Sequence, residues 1–248
     1  MPTVADLTLP EAVALVGAFD PVTGKGIQPG VFSTGNIFLA ESAALLIALV
    51  DDGCVDFEWA KSSQLVPGAG TTRPVAGGPE PKHPLLLGAY RTVVKHAAQE
   101  GGEQGSTRQG KTLSTDLLLA RIATAPIHDR LFSSGLVART GRLVKREALT
   151  ADGLRLRREL CAEIDDFTAS EVETDAAAVS ERTALIVAIL VVGLVAQPLY
   201  PSREREATIA AEARLTLLRE RVSATGEHAF GRATVLAALG LANAGFIT

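Results

Sequence analysis

The sequence predicts a mainly α-helical single domain, residues 1–248, with a few short β-hairpins. The composition is 47% hydrophobic but only 4% aromatic, so Ala, Leu and Val must fill an interior of closely packed helices. Apolar residues recur at helical spacing in most segments between turns. Residues 136–149 instead show two short extended runs around Thr140-Gly141, which predicts a winged-helix-like hairpin.

The first helix is predicted from LTLPEAVALVGAFD, residues 7–20. Thr8 and Glu11 have the spacing of a capping box, in which each side chain accepts a hydrogen bond from the other residue's backbone N–H. Pro10 lies in the first turn, where its missing N–H removes no helical bond. The turn residues DPVTGKG follow, so we expect this helix to end near Asp20.

The next elements are predicted in order along the chain. A second helix covers residues 33–50, and the alternating pattern of 54–59 predicts a short strand. Residues 67–83 are rich in Pro and Gly, which predicts a long, flexible surface loop. A third helix over 84–98 is followed by a second flexible loop at about 100–112.

The second half of the chain is also predicted to be helical around the hairpin. Helices at about 114–124 and 126–134 precede the hairpin, and a helix capped by Thr150 follows it. The longest apolar run, residues 184–196, has thirteen residues and falls short of the roughly 20 needed to cross a bilayer. It therefore predicts a helix buried on all sides. Two further helices are predicted at about 202–222 and 228–245.

Charge and cysteine content exclude several classes of protein. The net charge of −4 argues against a wholly basic nucleic-acid-binding protein. Cys54 and Cys161 lie far apart without a CxxC or Cys/His spacing, which favours free thiols over a disulfide or zinc site. The N-terminus shows no secretion signal. We expect a soluble, cytoplasmic protein without a cofactor or metal.

No recognised catalytic motif is present in the sequence. His83, His96, His128 and His228 have no carboxylate or Cys at ligand spacing, so we interpret them as surface or incidental core histidines. GSTRQGKT, residues 105–112, lacks the spacing of a phosphate-binding loop, and no GxSxG or HExxH occurs. The motifs therefore favour a protein that is not an enzyme.

One region is strongly basic. Between residues 121 and 158 the chain has nine basic residues against Asp129, Glu147 and Asp152, a net charge of about +6 by this count. The basic residues are Arg121, Arg130, Arg139, Arg142, Lys145, Arg146, Arg155, Arg157 and Arg158. Such a region is either a solvated hairpin and helix face or a surface for lipid phosphates or a nucleic-acid backbone.

DNA binding is one alternative for this region, because two helices and a hairpin follow the order of a winged-helix module. The helix that would enter the major groove, 126–134, offers only His128 and Arg130 as contacts, beside Asp129. A groove-reading helix normally brings several donors. Nucleic acid is therefore not the partner that we expect.

Four features along the chain, taken in their order, resemble the Golgi phosphoprotein 3 family in its compact actinobacterial form. They are LTLPEAVALV with DPVTGKG, ALLIALVDDGCVDFE, RLFSSGLVAR, and RTALIVAILVVGLV with the closing AALGLANAGF. The resemblance implies a helical domain with a projecting hairpin and a non-enzymatic peripheral membrane or adaptor function. In eukaryotic members this domain binds phosphatidylinositol 4-phosphate on Golgi membranes and holds glycosyltransferases.

The resemblance also implies where a lipid headgroup pocket would lie. The family uses a Trp and an Arg around the start of the second helix, and these positions fall near Ser33 and Ser42. Two basic residues three apart fall near Arg121 and Thr124, so only Arg121 is retained. Because a phosphomonoester needs several convergent donors, we expect altered lipid or partner binding. A third hypothesis is that the vacated pocket binds a small biosynthetic molecule.

The hairpin is the other contact surface that the resemblance implies, since the family uses it for self-association and for meeting membranes. Here Leu143 and Val144 lie between basic residues, an arrangement that suits anionic phospholipid headgroups or a partner protein. The basic residues of this predicted contact are Arg139, Arg142, Lys145 and Arg146. A peripheral position on the inner face of the membrane would follow.

Overall fold

The computed structural model describes residues 2–20, 23–27, 34–60, 71–75, 78–101, 118–140, 146–169, 181–192, 232, 234–236, 238 and 239. Its helices are α1 (Leu9–Gly17), α2 (Thr34–Asp51), α3 (Pro84–Gly101), α4 (Ala125–Ser133), α5 (Ala151–Ala169) and α6 (Glu181–Val192). Its strands are β1 (Asp56–Ala60), β2 (Thr71–Val75), β3 (Val137–Thr140) and β4 (Arg146–Leu149), which form two antiparallel pairs. The predicted mainly α-helical class is confirmed.

Local capping signals set the helix ends as predicted. Thr8 Oγ1 accepts from the Glu11 N–H at 3.4 Å, and Glu11 Oε2 accepts from the Thr8 N–H at 2.8 Å. At the start of α5, Thr150 Oγ1 accepts from the N–H of Gly153 at 3.2 Å. Each such cap stabilises its helix by about 1 kcal/mol.

The core forms where α1, α2, α5 and α6 meet. Residues 184–190 of α6 are all at most 4% exposed, which confirms the predicted burial on every side for this part of the run, whereas Val192 is partly buried and 193–196 lie outside the described residues. Burying each large aliphatic side chain contributes about 1.5–3 kcal/mol. Within the ranges that the structure describes, no helix combines the length and apolar character needed to cross a bilayer.

The predicted loop over 67–83 needs correction, because it contains strand β2. This strand pairs with β1 in antiparallel register, with Phe57 opposite Pro74. Both strands of this pair are edge strands, the position in a sheet where proline is found, because a missing N–H there need not break a ladder bond. Residues 61–70 and 76–77 lie outside the described ranges, as do 102–117, which hold most of the second predicted loop.

Two predictions about helices are also incomplete. The segment predicted as a helix over 114–124 is helical at Leu118 and Leu119 and non-helical from Ala120 to Thr124, because Thr124 is the N-cap of α4. The predicted helix over 202–222 lies outside the described residues. Within 228–245, residues 232, 234–236, 238 and 239 are helical.

The predicted hairpin is present as β3 and β4, with Val137 opposite Leu149 and Thr140 opposite Arg146. Val137 and Leu149 are buried, whereas Thr140 and Arg146 are exposed. Residues 141–145, which include the predicted turn, lie outside the described part of the chain. The hairpin is thus fixed to the body at one end and solvated at the other.

The DPVTGKG turn supports the second edge of β4. The N–H of Gly26 donates to the Glu147 carbonyl at 2.8 Å, and the N–H of Leu149 donates to the Gly24 carbonyl at 2.8 Å. Gly24 adopts φ +63°, a conformation that a residue with a Cβ rarely takes. This turn therefore holds β4 against the helical body.

Candidate functional site

His128 lies between two carboxylates that come from different elements. Its Nδ1 lies 2.7 Å from Glu147 Oε2 on β4, and its Nε2 lies 3.0 Å from Glu41 Oε1 on α2. The His128 side chain is 19% exposed and that of Glu41 is 1% exposed. One imidazole on α4 therefore joins α2 to the hairpin.

The charge state of His128 follows from these two neighbours. Burial of the ring favours its neutral form, but the hydrogen bond and charge of Glu41, followed by those of Glu147, raise the pKa of His128 to about 9. The ring is an imidazolium at neutral pH and donates both N–H groups. Glu41 Oε2 is buried and makes no hydrogen bond within the described structure, so His128 is the direct partner of this carboxylate.

Arg139 extends the same network on the hairpin. Its Nε lies 2.9 Å from Glu147 Oε1, and its Nη2 lies 2.7 Å from Asp129 Oδ1. The guanidinium also lies over the Phe132 ring, 4.9 Å from its centroid, a cation–π contact. Two internal carboxylates therefore offset the charge of Arg139, and its contact with an external anion stays a prediction.

Other members of the basic region also make contacts with the rest of the protein, although the side chains of Arg130 and Arg155 remain 53% and 39% exposed. Arg130 Nε lies 3.3 Å from Glu11 Oε1, and Arg155 Nη1 lies 2.8 Å from Glu159 Oε1. Arg157 is buried and donates from Nη2 to the Val16 carbonyl at 3.3 Å. Arg121, Arg146 and Arg158 are exposed to solvent, whereas Arg142 and Lys145 lie outside the described residues.

The structure brings together part of the lipid pocket that the resemblance implies. Ser42 Oγ donates to the Ile122 carbonyl at 3.3 Å, which places α2 beside the segment of Arg121 and Thr124. Ser42 is only 2% exposed and Thr124 only 7%. Their role as ligand contacts stays a prediction, and Arg121 is the exposed member of this set. Ser33, Leu143 and Val144 lie outside the described residues.

Sequence reasoning missed the His128 network. Glu41 and Glu147 lie 87 and 19 residues from His128, so no local spacing marks the three as a group, and the interpretation of His128 as a surface or incidental core histidine did not include this ion pairing. Two signals were present. Glu41 is the only charged residue in the apolar stretch 34–50, where a buried charge requires a partner, and Arg139 faces Glu147 in the hairpin register.

The network has the chemistry of an ionic clamp. A general base needs a ring nitrogen that is free to take a proton, whereas both nitrogens of His128 are bonded to carboxylates. Among the described residues, no group of three or more His, Cys, Asp or Glu side chains could hold a metal ion. The clamp therefore fixes the position of the hairpin.

Neither a family model nor a curated protein matches this chain. The resemblance to the Golgi phosphoprotein 3 family therefore stays a prediction.

Proposed function

We propose that the protein is a non-enzymatic peripheral adaptor whose hairpin end contacts anionic lipid headgroups. The observation that carries this proposal is the distribution of charge along the hairpin. Arg139, near the body, is offset by Asp129 and Glu147, whereas Arg146 at the outer end is exposed. The attraction for an external anion is therefore concentrated at the outer end.

The sequence between the two strands supports the same proposal. Residues 141–145 read Gly-Arg-Leu-Val-Lys, so Arg142, Lys145 and Arg146 follow one another without an acidic residue. Each such cation near an anionic membrane contributes about 1 kcal/mol. Leu143 and Val144 add apolar side chains that suit the boundary between headgroups and acyl chains. The expected association is weak and sensitive to salt.

Attachment of the hairpin base to the helical body supports a role in docking. Glu147 is held by His128 and Arg139 through its side chain and by Gly26 through its carbonyl. A strand that is already fixed loses little conformational freedom when its end contacts a surface. Most of the conformational freedom that is lost on binding is therefore lost by the lipid and by the exposed side chains.

The experiment is sedimentation with vesicles of phosphatidylglycerol and phosphatidylcholine at low salt, compared with vesicles of phosphatidylcholine alone. We expect binding to the anionic vesicles and at least a tenfold loss of affinity in the triple variant R142E/K145E/R146E. The matched control K82E/R91E/K95E makes the same charge change at exposed positions in and just before α3. Its affinity should stay within about threefold of the original protein.

Three results would contradict the proposal. They are absence of binding to the anionic vesicles, equal losses in the two triple variants, and equal binding to phosphatidylcholine alone. Retention of a protein from a lysate without vesicle binding would favour a partner-protein adaptor instead.

DNA recognition is disfavoured by the internal contacts of α4. His128 is bonded to Glu41 and Glu147, and Arg130 is bonded to Glu11. These were the two candidate contacts of the helix that would enter a major groove. We therefore expect only weak, sequence-independent retardation in a mobility-shift experiment, through phosphate contacts that added salt abolishes.

A further inference from the structure

A second charged region, separate from the hairpin clamp, lines a cleft of about 340 Å³ beside the N-terminal segment and the start of α6. Its apolar lining consists of Ala5, Leu7, Leu9 and Leu185. Its polar lining consists of two arginines and two carboxylates. The volume lies within the roughly 300–1,000 Å³ typical of sites for small molecules.

One of the two arginines is neutralised within the protein. Arg232 Nε lies 2.6 Å from Asp51 Oδ1, and Arg232 Nη1 is bonded to Glu181 Oε1. The Arg232 side chain is 12% exposed. Asp51 and Glu181 thus have a guanidinium as their partner, and this triad joins the end of α2 to the start of α6.

The other arginine is held by backbone carbonyls, and Glu163 and Glu11 lie near enough for their charges to raise its pKa against the effect of burial. Arg182 donates from Nη1 to the Val4 carbonyl at 2.8 Å and from Nη2 to the Leu7 carbonyl at 2.6 Å. No carboxylate of the described chain bonds to it. Burial lowers the pKa of Arg182, as expected for a cation whose lost hydration is only partly replaced. Because a guanidinium has five N–H donors, three remain after these two bonds.

We propose that this cleft binds a small monoanionic carboxylate with an apolar body. The single guanidinium of Arg182 offers one positive charge and a planar fork that matches a carboxylate. Asp51 and Glu181 in the same lining repel a second negative charge, which disfavours a phosphate monoester. Leu7, Leu9 and Leu185 form the apolar part of the lining, and Leu9, which is only partly buried, gives an aliphatic or aromatic body a surface to contact.

The probes are octanoate and 3-phenylpropionate, with octylammonium and octyl phosphate as the comparisons. Calorimetric titration and thermal unfolding of the full chain should show that both carboxylates bind and raise the melting temperature. Octylammonium should give no shift, and octyl phosphate should bind at least tenfold more weakly than octanoate.

Two variants test the position of the site. Arg182→Gln should weaken octanoate binding at least tenfold, but it also removes two bonds to the backbone. Ala5→Phe therefore provides the second test, because Ala5 is exposed at the cleft and a larger side chain there fills the space without breaking a hydrogen bond. It should weaken octanoate at least tenfold while the melting temperature of the free protein stays the same.

The matched control is Arg158→Gln, which removes an exposed arginine of α5 outside the cleft lining and should leave octanoate binding unchanged. The proposal is overturned if neither carboxylate binds at millimolar concentration, if octylammonium binds as well as octanoate, or if Ala5→Phe leaves octanoate affinity unchanged. The results for octanoate binding do not depend on whether the protein binds vesicles, because the cleft shares no residue with the hairpin end.

Discussion

At the scale of one residue, His128 makes an ionised Glu41 tolerable in the interior. A carboxylate that is 1% exposed loses several kcal/mol of hydration. The hydrogen bond of 3.0 Å to the imidazolium offsets part of this lost hydration free energy. The second bond of the imidazolium, to Glu147, adds further stabilisation. Removal of His128 leaves the buried Glu41 carboxylate without this partner, whereas removal of Glu41 leaves His128 bonded to Glu147.

The pKa of His128 predicts how stability depends on pH. The folded-state pKa of about 9 lies above the ordinary value of 6.5, so the folded state binds the proton more tightly than the unfolded state. The resulting stabilisation, about 3 kcal/mol at about 1.4 kcal/mol per pKa unit, is fully present below about pH 6.5. It declines above that pH and is lost as the pH rises through about 9.

Urea unfolding of the original protein and of His128→Gln at about pH 6 and about pH 10 measures this effect. The original protein should be more stable than the variant by about 3 kcal/mol or more at the lower pH, and the difference should shrink by about 3 kcal/mol at the higher pH. Comparison with the variant cancels the titration of groups that do not contact His128. A difference that stays constant over this range would contradict the assignment.

At the scale of elements, the position of α5 depends on a close approach between its first turn and the start of β3. Gly153 lies so near the carbonyl of Leu136 that an added Cβ would overlap this oxygen. The same carbonyl accepts from the N–H of Thr150 at 3.0 Å, so it cannot move without breaking a bond. Helix and hairpin are thereby held in one arrangement.

Gly153→Ala should therefore destabilise the protein by about 1–3 kcal/mol, because α5 has to move away from the hairpin. Gly88→Ala is the matched control in α3, where an added Cβ meets no described atom within 4 Å. It should stabilise the protein by about 0.5–1 kcal/mol through the higher helix propensity of Ala. Thermal unfolding of the two variants measures both effects, and equal shifts would contradict the close approach.

The element scale also shows what local pattern could predict. The Thr8–Glu11 capping box and the Thr150 cap were predicted because each involves residues within one helical turn. Strand β2 was missed because Pro74 and the nearby glycines are typical of a loop. Only its pairing with β1, through backbone bonds to a segment more than ten residues away, makes this stretch a strand.

At the scale of the whole molecule, the net charge of −4 opposes approach to an anionic membrane, whereas the end of the hairpin attracts it. The repulsion from the net charge acts over a long distance and is screened by salt. The attraction of a cation close to the membrane is screened less. In the proposed membrane contact, the orientation of the molecule therefore depends on the hairpin.

Raising the salt concentration from about 0.05 M to about 0.3 M reduces the screening length to about 6 Å. We expect the affinity for phosphatidylglycerol vesicles, measured by sedimentation, to fall about tenfold or more. The reason is that most of the attraction comes from exposed cations. The K82E/R91E/K95E control should show the same dependence on salt. Binding that is insensitive to salt would indicate apolar insertion as the main contribution.

The sequence by itself determined the helical class, the caps of α1 and α5, the complete burial of 184–190 and the location of the hairpin. These features depend on neighbours within a turn or a strand, where residue type fixes backbone and burial preference. The tertiary structure alone decided which charges are offset. Glu41, His128 and Glu147 meet across 87 and 19 residues, and Arg182 faces a cleft built from distant segments. Whether a charge is available to a ligand depends on what lies within a few ångströms, and only the folded chain sets those distances.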